Sequence, residues 1–286
     1  MKLVLAQTKP KKGDYSANVA KVGEIFTTLA EKGLKTDLLC LPEACLSGYF
    51  LQGGVLDVAR TAEQALADLQ RQYQPYAKEP LDICLGFYEA YQDEVYNAAL
   101  YATLGPEPQL IHVHRKLFLP TYGVFDEERF VGRGQRIQAF DTRFGRCAIL
   151  ICEDAWHSLS ATIAALQGAE LLFVPAASPG RGLHSPEPDN VRYWKRLAQN
   201  IAEEHGVFVI NAALCGFEGG KGLSGGSSVV DPTGVFLLEA PVLQECLLPV
   251  ELDRRDLLRA RYYSPLLSDL RAALPTLLRE LREVLP

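Results

Sequence analysis

Short apolar strands alternate with amphipathic helices along most of the chain. Residues 2–7 (KLVLAQ) form an apolar run of strand length. Over 16–31, Val19, Val22, Ile25, Phe26 and Leu29 recur at helical spacing, and Gly33 stops the helix. Residues 37–42 read as a buried strand ending at Pro42. A helix follows near 57–73, with Leu56, Ala59, Ala62, Leu66 and Leu69 on one side. Strands are predicted at 82–90, 95–103 and 109–114, the first two joined as a hairpin across Gln92-Asp93-Glu94. Strands at 137–141 and 146–153, a helix near 157–167 and a strand at 170–175 continue the alternation. A helix at 190–205 and strands at 207–213, 227–231, 234–239 and 244–251 complete it. Three stretches interrupt the pattern: 115–136, with Pro120, Gly123, Gly132 and Gly134; 176–189; and a Gly-rich loop at 215–226. Loops this long in compact domains are usually functional or mobile.

The tail, 254–286, changes character. Leu257, Leu258, Leu266, Leu267, Leu270, Leu274, Leu277, Leu278, Leu281 and Leu285 recur at three- and four-residue spacing among charges. Pro275 is expected to kink or split this helix. Amphipathicity alone does not choose between packing on its own core and packing on a neighbouring subunit. No repeat or boundary signal divides the chain, so 1–286 reads as one α/β domain with mixed sheets covered by helices.

Composition narrows the function. With 286 residues, 48% of them hydrophobic, the chain buries a large core. Its 29 Lys+Arg against 35 Asp+Glu leave a net charge of −6, which argues against a general binder of nucleic-acid backbones. Seven cysteines, an odd number with no C-x-x-C pair, fit neither a zinc framework nor a disulfide scaffold. The first apolar run stops at Gln7, too short for a leader. No run approaches the ~18 residues that span a bilayer. A reducing cytoplasm, with no membrane partner, is the expected compartment.

Three segments share a form, each an apolar strand that ends in reactive residues: LLCLPEACLSGY (38–49), IHVHRKLFLPTYGVFDEERF (111–130) and CAILICEDAW (147–156). Catalytic groups often sit where rigid strands run out into loops. Glu43, Lys116 and Cys152 are the candidates. A thiol with a pKa of ~8.5 is mostly protonated at neutral pH, and the thiolate is the nucleophile. An ammonium stabilises that thiolate and can hold an oxyanion. A carboxylate takes the thiol proton and passes it to a departing amine. Each residue alone has an ordinary reading: a core thiol, a solvated lysine, a helix-capping glutamate. Cys40, Cys84, Cys147 and Cys246 lie inside apolar strands and read as core thiols. Of the five histidines, His112 and His114 share a strand face, but no third ligand is near in sequence.

Together the motifs resemble the nitrilase superfamily of carbon–nitrogen hydrolases, most closely the branch of the glutaminase domains of NAD synthetases. Leu41-Pro42-Glu43 with Leu46-Ser47-Gly48-Tyr49 matches the glutamate motif. His114-Arg115-Lys116 with Leu119-Pro120 matches the lysine motif. Ile151-Cys152-Glu153-Asp154 with Trp156 matches the nucleophile motif. The later Gly225-Gly226-Ser227…Asp231-Pro232-x-Gly234 turn extends the likeness. The resemblance implies a four-layer αββα sandwich without cofactor or metal, assembling as a homodimer or higher homo-oligomer. It implies Glu43 as base and then acid, Lys116 as stabiliser of thiolate and oxyanion, Cys152 as nucleophile, and the Glu153 N–H as an oxyanion donor. A second glutamate falls in Asp126-Glu127-Glu128-Arg129, where Glu127 matches best and Glu128 competes. Tyr49, Tyr122, Trp156 and Ser178 sit at strand ends as candidate pocket walls, and Arg181 as a candidate for a substrate carboxylate.

The implied reaction is hydrolysis of a small amide through a Cys152 thioester. Alternatives are a glutaminase subunit supplying ammonia to a separate synthetase, an N-carbamoyl amidohydrolase and a nitrilase. A nitrilase nucleophile is usually followed by Trp-Glu, whereas Glu153-Asp154 follows here. A serine amidase using Ser227 and Lys221 and a non-catalytic binding protein are the rivals from other classes.

Overall fold

A computed structural model describes residues 1–182 and 187–284. Leu285 of the tail, and His184, one of the five histidines, lie outside the described residues.

Strands β1 (Lys2–Gln7), β2 (Leu38–Cys40), β3 (Leu81–Tyr91), β4 (Glu94–Leu104) and β5 (Gln109–Arg115) build the first sheet with β14 (Cys246–Glu251), in the order β14-β1-β2-β3-β4-β5. β1, β2 and β3 are parallel, and the outer pairings are antiparallel. The strands of the second sheet are β6 (Ala139–Thr142), β7 (Gly145–Ile149), β8 (Leu171–Ala176), β9 (Phe208–Ala213), β12 (Ser228–Val230) and β13 (Phe236–Glu239), in the order β13-β12-β9-β8-β7-β6. Here β7, β8 and β9 form the parallel centre.

Side-chain alternation explains the layering. Leu3, Leu5, Leu38 and Cys40 face one core, while Val4, Ala6 and Leu39 face another. The second core also holds α1 (Tyr15–Glu31) and α3 (Ala62–Tyr73). Between the sheets, the Tyr101 ring of β4 lies 5.4 Å from Phe140 and 5.6 Å from Phe173. α4 (Ser158–Leu166) and α5 (Asp189–His205) cover the second sheet through Ala161, Ala164, Trp194, Ala198 and Ile201. The architecture is an αββα sandwich. Strands buried on both faces read as continuous apolar runs, which is why 2–7 and 38–41 are so legible.

Four expectations need correction. The helix expected over 57–73 is two: a single turn α2 (Val55–Val58), then α3, restarted by a capping box between Thr61 and Gln64. The strand expected over 146–153 ends at Ile149, and Cys152–Trp156 form a short helical turn. The 215–226 loop contains a hairpin, β10 (Cys215–Glu218) and β11 (Lys221–Ser224), closed by Gly219 and Gly220 at φ 55° and 79°. Its strands carry too few apolar residues to register as a pattern. The tail breaks at Ser264-Pro265, between α6 (Arg255–Tyr263) and α7 (Leu266–Val284), and α7 runs through Pro275. Pro265 stands just before the first turn of α7, where a missing N–H costs nothing, whereas Pro275 costs one backbone bond.

The tail begins on its own core. Leu257, Ala260 and Leu267 are buried, and Arg261 donates to the carbonyls of Gly206 and Ala169. Further along, Leu277, Leu278 and Leu281 remain 42–45% exposed. Among the described residues no helix is long and apolar enough to cross a membrane.

Candidate active site

The first sheet delivers two carboxyl-terminal strand ends and the second sheet one. Past β2, the chain turns at Pro42 so that Glu43 is fully buried. Gly86 of β3 makes this possible: its N–H donates to the Pro42 carbonyl at 3.0 Å, and a Cβ there would lie 2.5 Å from the Glu43 Cα. Lys116 follows β5 and is also fully buried. The 115–136 segment folds back over it, with the Gly134 N–H donating to the Lys116 carbonyl at 2.8 Å. A Cβ at Gly134 would fall 2.0 Å from the Arg115 oxygen, so only glycine fits this close approach. Cys152, 6% exposed, follows β7 at φ 46°, a left-handed conformation that a non-glycine residue adopts only at a free-energy cost.

Lys116 joins the parts. Its Nζ donates to Glu43 Oε1 and to Glu127 Oε1, each at 2.8 Å. Asn97 Nδ2, from β4, donates to the same two oxygens at 2.7 and 3.3 Å. The Tyr49 hydroxyl also donates to Glu127 Oε1. The remaining oxygens, Glu43 Oε2 and Glu127 Oε2, are buried with no hydrogen-bond partner among the described residues. Such acceptors are costly unless a ligand serves them.

Electrostatics follow from burial and proximity. Burial pushes the Glu127 carboxyl up to about 7, and Glu43 adds to the rise while Lys116 opposes it. Burial alone would lower Lys116, but the charges of Glu127, Glu43 and Cys152 outweigh it and hold the ammonium well above its ordinary value. The Cys152 thiol is pushed well up, first by burial and then by Glu43, with Lys116 and a backbone hydrogen bond with Ala177 pulling the other way. The resting sulfur is therefore a thiol beside a base.

The sequence's other candidates divide. Glu127 turns inward, whereas Glu128 pairs with Arg133 at 2.7 Å on the surface. Tyr49 is in the network. Tyr122 is half exposed and donates from its hydroxyl to Glu153 Oε2 at 2.9 Å. The exposed Arg181 guanidinium lies over the rings of Tyr122 and Phe125, 5.8 and 5.5 Å from their centroids. Trp156 instead packs edge-on against Trp194 of α5, and Ser178 accepts from Asn190. Neither bonds to the Glu43–Lys116–Glu127 cluster. Ser227 Oγ donates to Gln7 Oε1 and accepts from the Ala213 N–H, so it is engaged in the fold and not by a lysine. His112 stacks on Phe140, and among the described residues no three His, Cys, Asp or Glu side chains are grouped to hold a metal. Of the thiols read as core, Cys40, Cys84 and Cys147 are buried and Cys246 is partly exposed.

Two residues of the site escaped the sequence reading. Asn97 had one signal, a lone amide inside the apolar run VYNAALY. Glu218, on β10, accepts the N–H groups of Tyr49 and Phe50 at 2.9 and 3.0 Å and so fixes the loop after Glu43. Nothing in a Gly-rich segment announced it.

The chain matches the model of the family described as carbon-nitrogen hydrolase over residues 2–262. It is 29% identical over 270 residues to a glutamine-dependent NAD(+) synthetase of Thermotoga maritima, covering 93% of this chain and 44% of that protein. The chain thus spans less than half the length of that relative. A citrullinase of Francisella tularensis is 26% identical over 266 residues, with 90% of this chain and 91% of the relative covered. In fold, a carbon-nitrogen hydrolase of Helicobacter pylori G27 superposes with a TM-score of 0.83 at 23% identity, over 94% of each chain. The chain belongs to the carbon–nitrogen hydrolase family.

Proposed function

We propose that the protein is an amidase that hydrolyses a small linear amide through a thioester on Cys152. The observation that carries this reading is the Lys116 ammonium, held at 2.8 Å by both Glu43 and Glu127 beside a buried thiol. Glu43 takes the thiol proton as the sulfur attacks the carbonyl carbon. Lys116 and the Glu153 N–H hold the oxyanion that forms. Glu43 then returns the proton to the departing nitrogen, the C–N bond breaks, and ammonia or an amine leaves. Water attacks the thioester carbon as Glu43 takes its proton, the C–S bond breaks to release the carboxylic acid, and Glu43 returns the proton to the sulfur, restoring the thiol. The unpartnered Glu43 Oε2 and Glu127 Oε2 fit the N–H groups of an amide substrate. No cofactor or metal is needed for any step.

Arg181 above Tyr122 and Phe125 supports a substrate bearing a carboxylate, and Glu153, bonded to the same Tyr122, supports an amino group. That pair favours an α-amino acid ω-amide or ureide, in keeping with the synthetase and citrullinase relatives. A glutaminase subunit with a separate ammonia acceptor is the second reading on this ground. The exposed leucine stripe of α7 supports a homo-oligomer, and seven free cysteines support the cytoplasm.

The test is ammonia release from a panel of ω-amides, N-carbamoyl compounds and nitriles, with Cys152→Ala as control. Ammonia from nitriles alone, or activity surviving C152A, overturns the proposal. R181A raises KM for carboxylate-bearing amides and leaves neutral amides unchanged.

A further inference from the structure

We propose that Asp154 is a positioning residue that ties the lysine strand to the cysteine turn and so sets the approach of Lys116 to Cys152. The inference rests on the reading of those two residues as the reacting groups.

The Asp154 carboxylate is fully buried and has four partners. Oδ1 accepts the N–H groups of Leu117 and Phe118 at 3.0 and 2.9 Å. Oδ2 accepts the N–H of Ile151 at 3.0 Å and bonds to His114 Nε2 at 2.8 Å. The partners are not scattered. His114 and Leu117-Phe118 bracket Lys116, and Ile151 immediately precedes Cys152.

His114 lies on β5, Leu117 and Phe118 just past its end, and Ile151 just past the end of β7; among the described residues no backbone hydrogen bond joins these two strands. β5 is an edge strand of the first sheet, and β7 belongs to the second. Backbone pairing fixes each strand within its own sheet and says nothing about their separation. From the cysteine turn, the Asp154 carboxylate supplies that link through two backbone N–H groups, those of Leu117 and Phe118, and the His114 ring, and charge-assisted bonds of this type are directional. The same carboxylate anchors the residue before Cys152, which sits at φ 46°. A strained backbone persists only where its surroundings over-determine it. The His114 ring, 3% exposed, holds the second oxygen and completes the set.

Asp82 is the natural control. It is also fully buried, accepts from the Tyr101 and Thr103 hydroxyls at 2.7 and 2.9 Å and pairs with Arg143 at 3.0 Å. It lies near the start of β3, with no bond to the lysine or cysteine segments.

The experiment compares Asp154→Asn with Asp82→Asn by two readouts on Cys152: acylation by an amide substrate and alkylation by iodoacetamide, each followed on the Cys152 peptide by mass spectrometry across pH. The amide of D154N turns an N–H toward donors that need an acceptor. Loss of alignment of about 1 Å costs on the order of 100-fold in a positioned reaction. D154N therefore slows both reactions by about that factor, lowers kcat with little change in KM, and shifts the pH profile of alkylation upward. D82N, matched for loss of Tm, keeps the wild-type rates. Wild-type rates in D154N, or an equal loss in D82N, overturn the proposal. Should D154N not fold, H114A and H114Q decide: H114A is slow and H114Q, which keeps a donor at the same reach, restores the rate. H114A as fast as wild type, or H114Q as slow as H114A, overturns it. If wild-type Cys152 is alkylated but acylated by no amide, the amidase reading fails and the alkylation rates still decide this one.

Discussion

Replacing Lys116 with Met leaves two carboxylates facing each other in a space without a cation. Both Oε1 atoms lie 2.8 Å from the lost Nζ, so they are at most twice that distance apart. At about 5 Å and an effective dielectric of about 20, two negative charges repel by roughly 3 kcal/mol. Breaking a buried pair costs about 3–5 kcal/mol for the same reason, an uncompensated buried charge. The Glu127 carboxyl, already raised by burial, rises further once the Lys116 charge that opposes the rise is gone, while in the unfolded chain it stays near about 4.3. A raised folded pKa gives a contribution that is full below the unfolded pKa and lost as pH rises. The deficit of K116M in urea unfolding is therefore smallest near pH 5 and reaches about 3–5 kcal/mol by pH 8. Amide hydrolysis falls by at least about 100-fold, the loss of one oxyanion donor. An equal deficit at both pH values, or one below about 1 kcal/mol at pH 8, refutes the reasoning.

The close approach at Gly86 gives a packing test. A Cβ there meets the Glu43 Cα at 2.5 Å and the Ala44 nitrogen at 2.6 Å, so G86A must displace Glu43. It lowers Tm, costs about 1–3 kcal/mol and reduces kcat, while a mutation that leaves kcat untouched places Glu43 outside the reaction. The Glu127 carboxyl, pushed up to about 7 by burial, gives a pH test. Below that value Glu127 gains a proton and Lys116 loses one counter-charge, so the wild-type rate bends near 7, and E127Q removes the bend. A bend that persists in E127Q assigns it to another group of the cluster.

Glu43 and Cys152 were legible because each ends an apolar run that is buried on both sides, and Lys116 because it ends the half-buried apolar run of an edge strand. Pro42-Glu43, Arg115-Lys116 and Cys152-Glu153 are abrupt changes from core to chemistry, and local contrast is what a sequence displays. Glu127 was separable from Glu128 only by motif, since both sit in one charge run; the structure separates them by direction, one toward Lys116 and one toward Arg133. Asn97 and Glu218 act across 54 and 169 residues of chain, and no local pattern encodes such contacts. The hairpin at 215–224 and the unbroken α7 were missed for another reason. Glycine and proline mark turns on average, but strand pairing overrides the glycines of the hairpin locally, and Pro275 removes one backbone N–H from a 19-residue helix that continues past it.

The most direct measurement is the mass of the intact protein and of its Cys152 peptide after rapid quench with a reactive ω-amide. The account predicts a transient acyl adduct on Cys152, absent from C152A and accumulating in step with the first equivalent of ammonia. Ammonia released with no adduct at Cys152, or an adduct on Ser227, would contradict it.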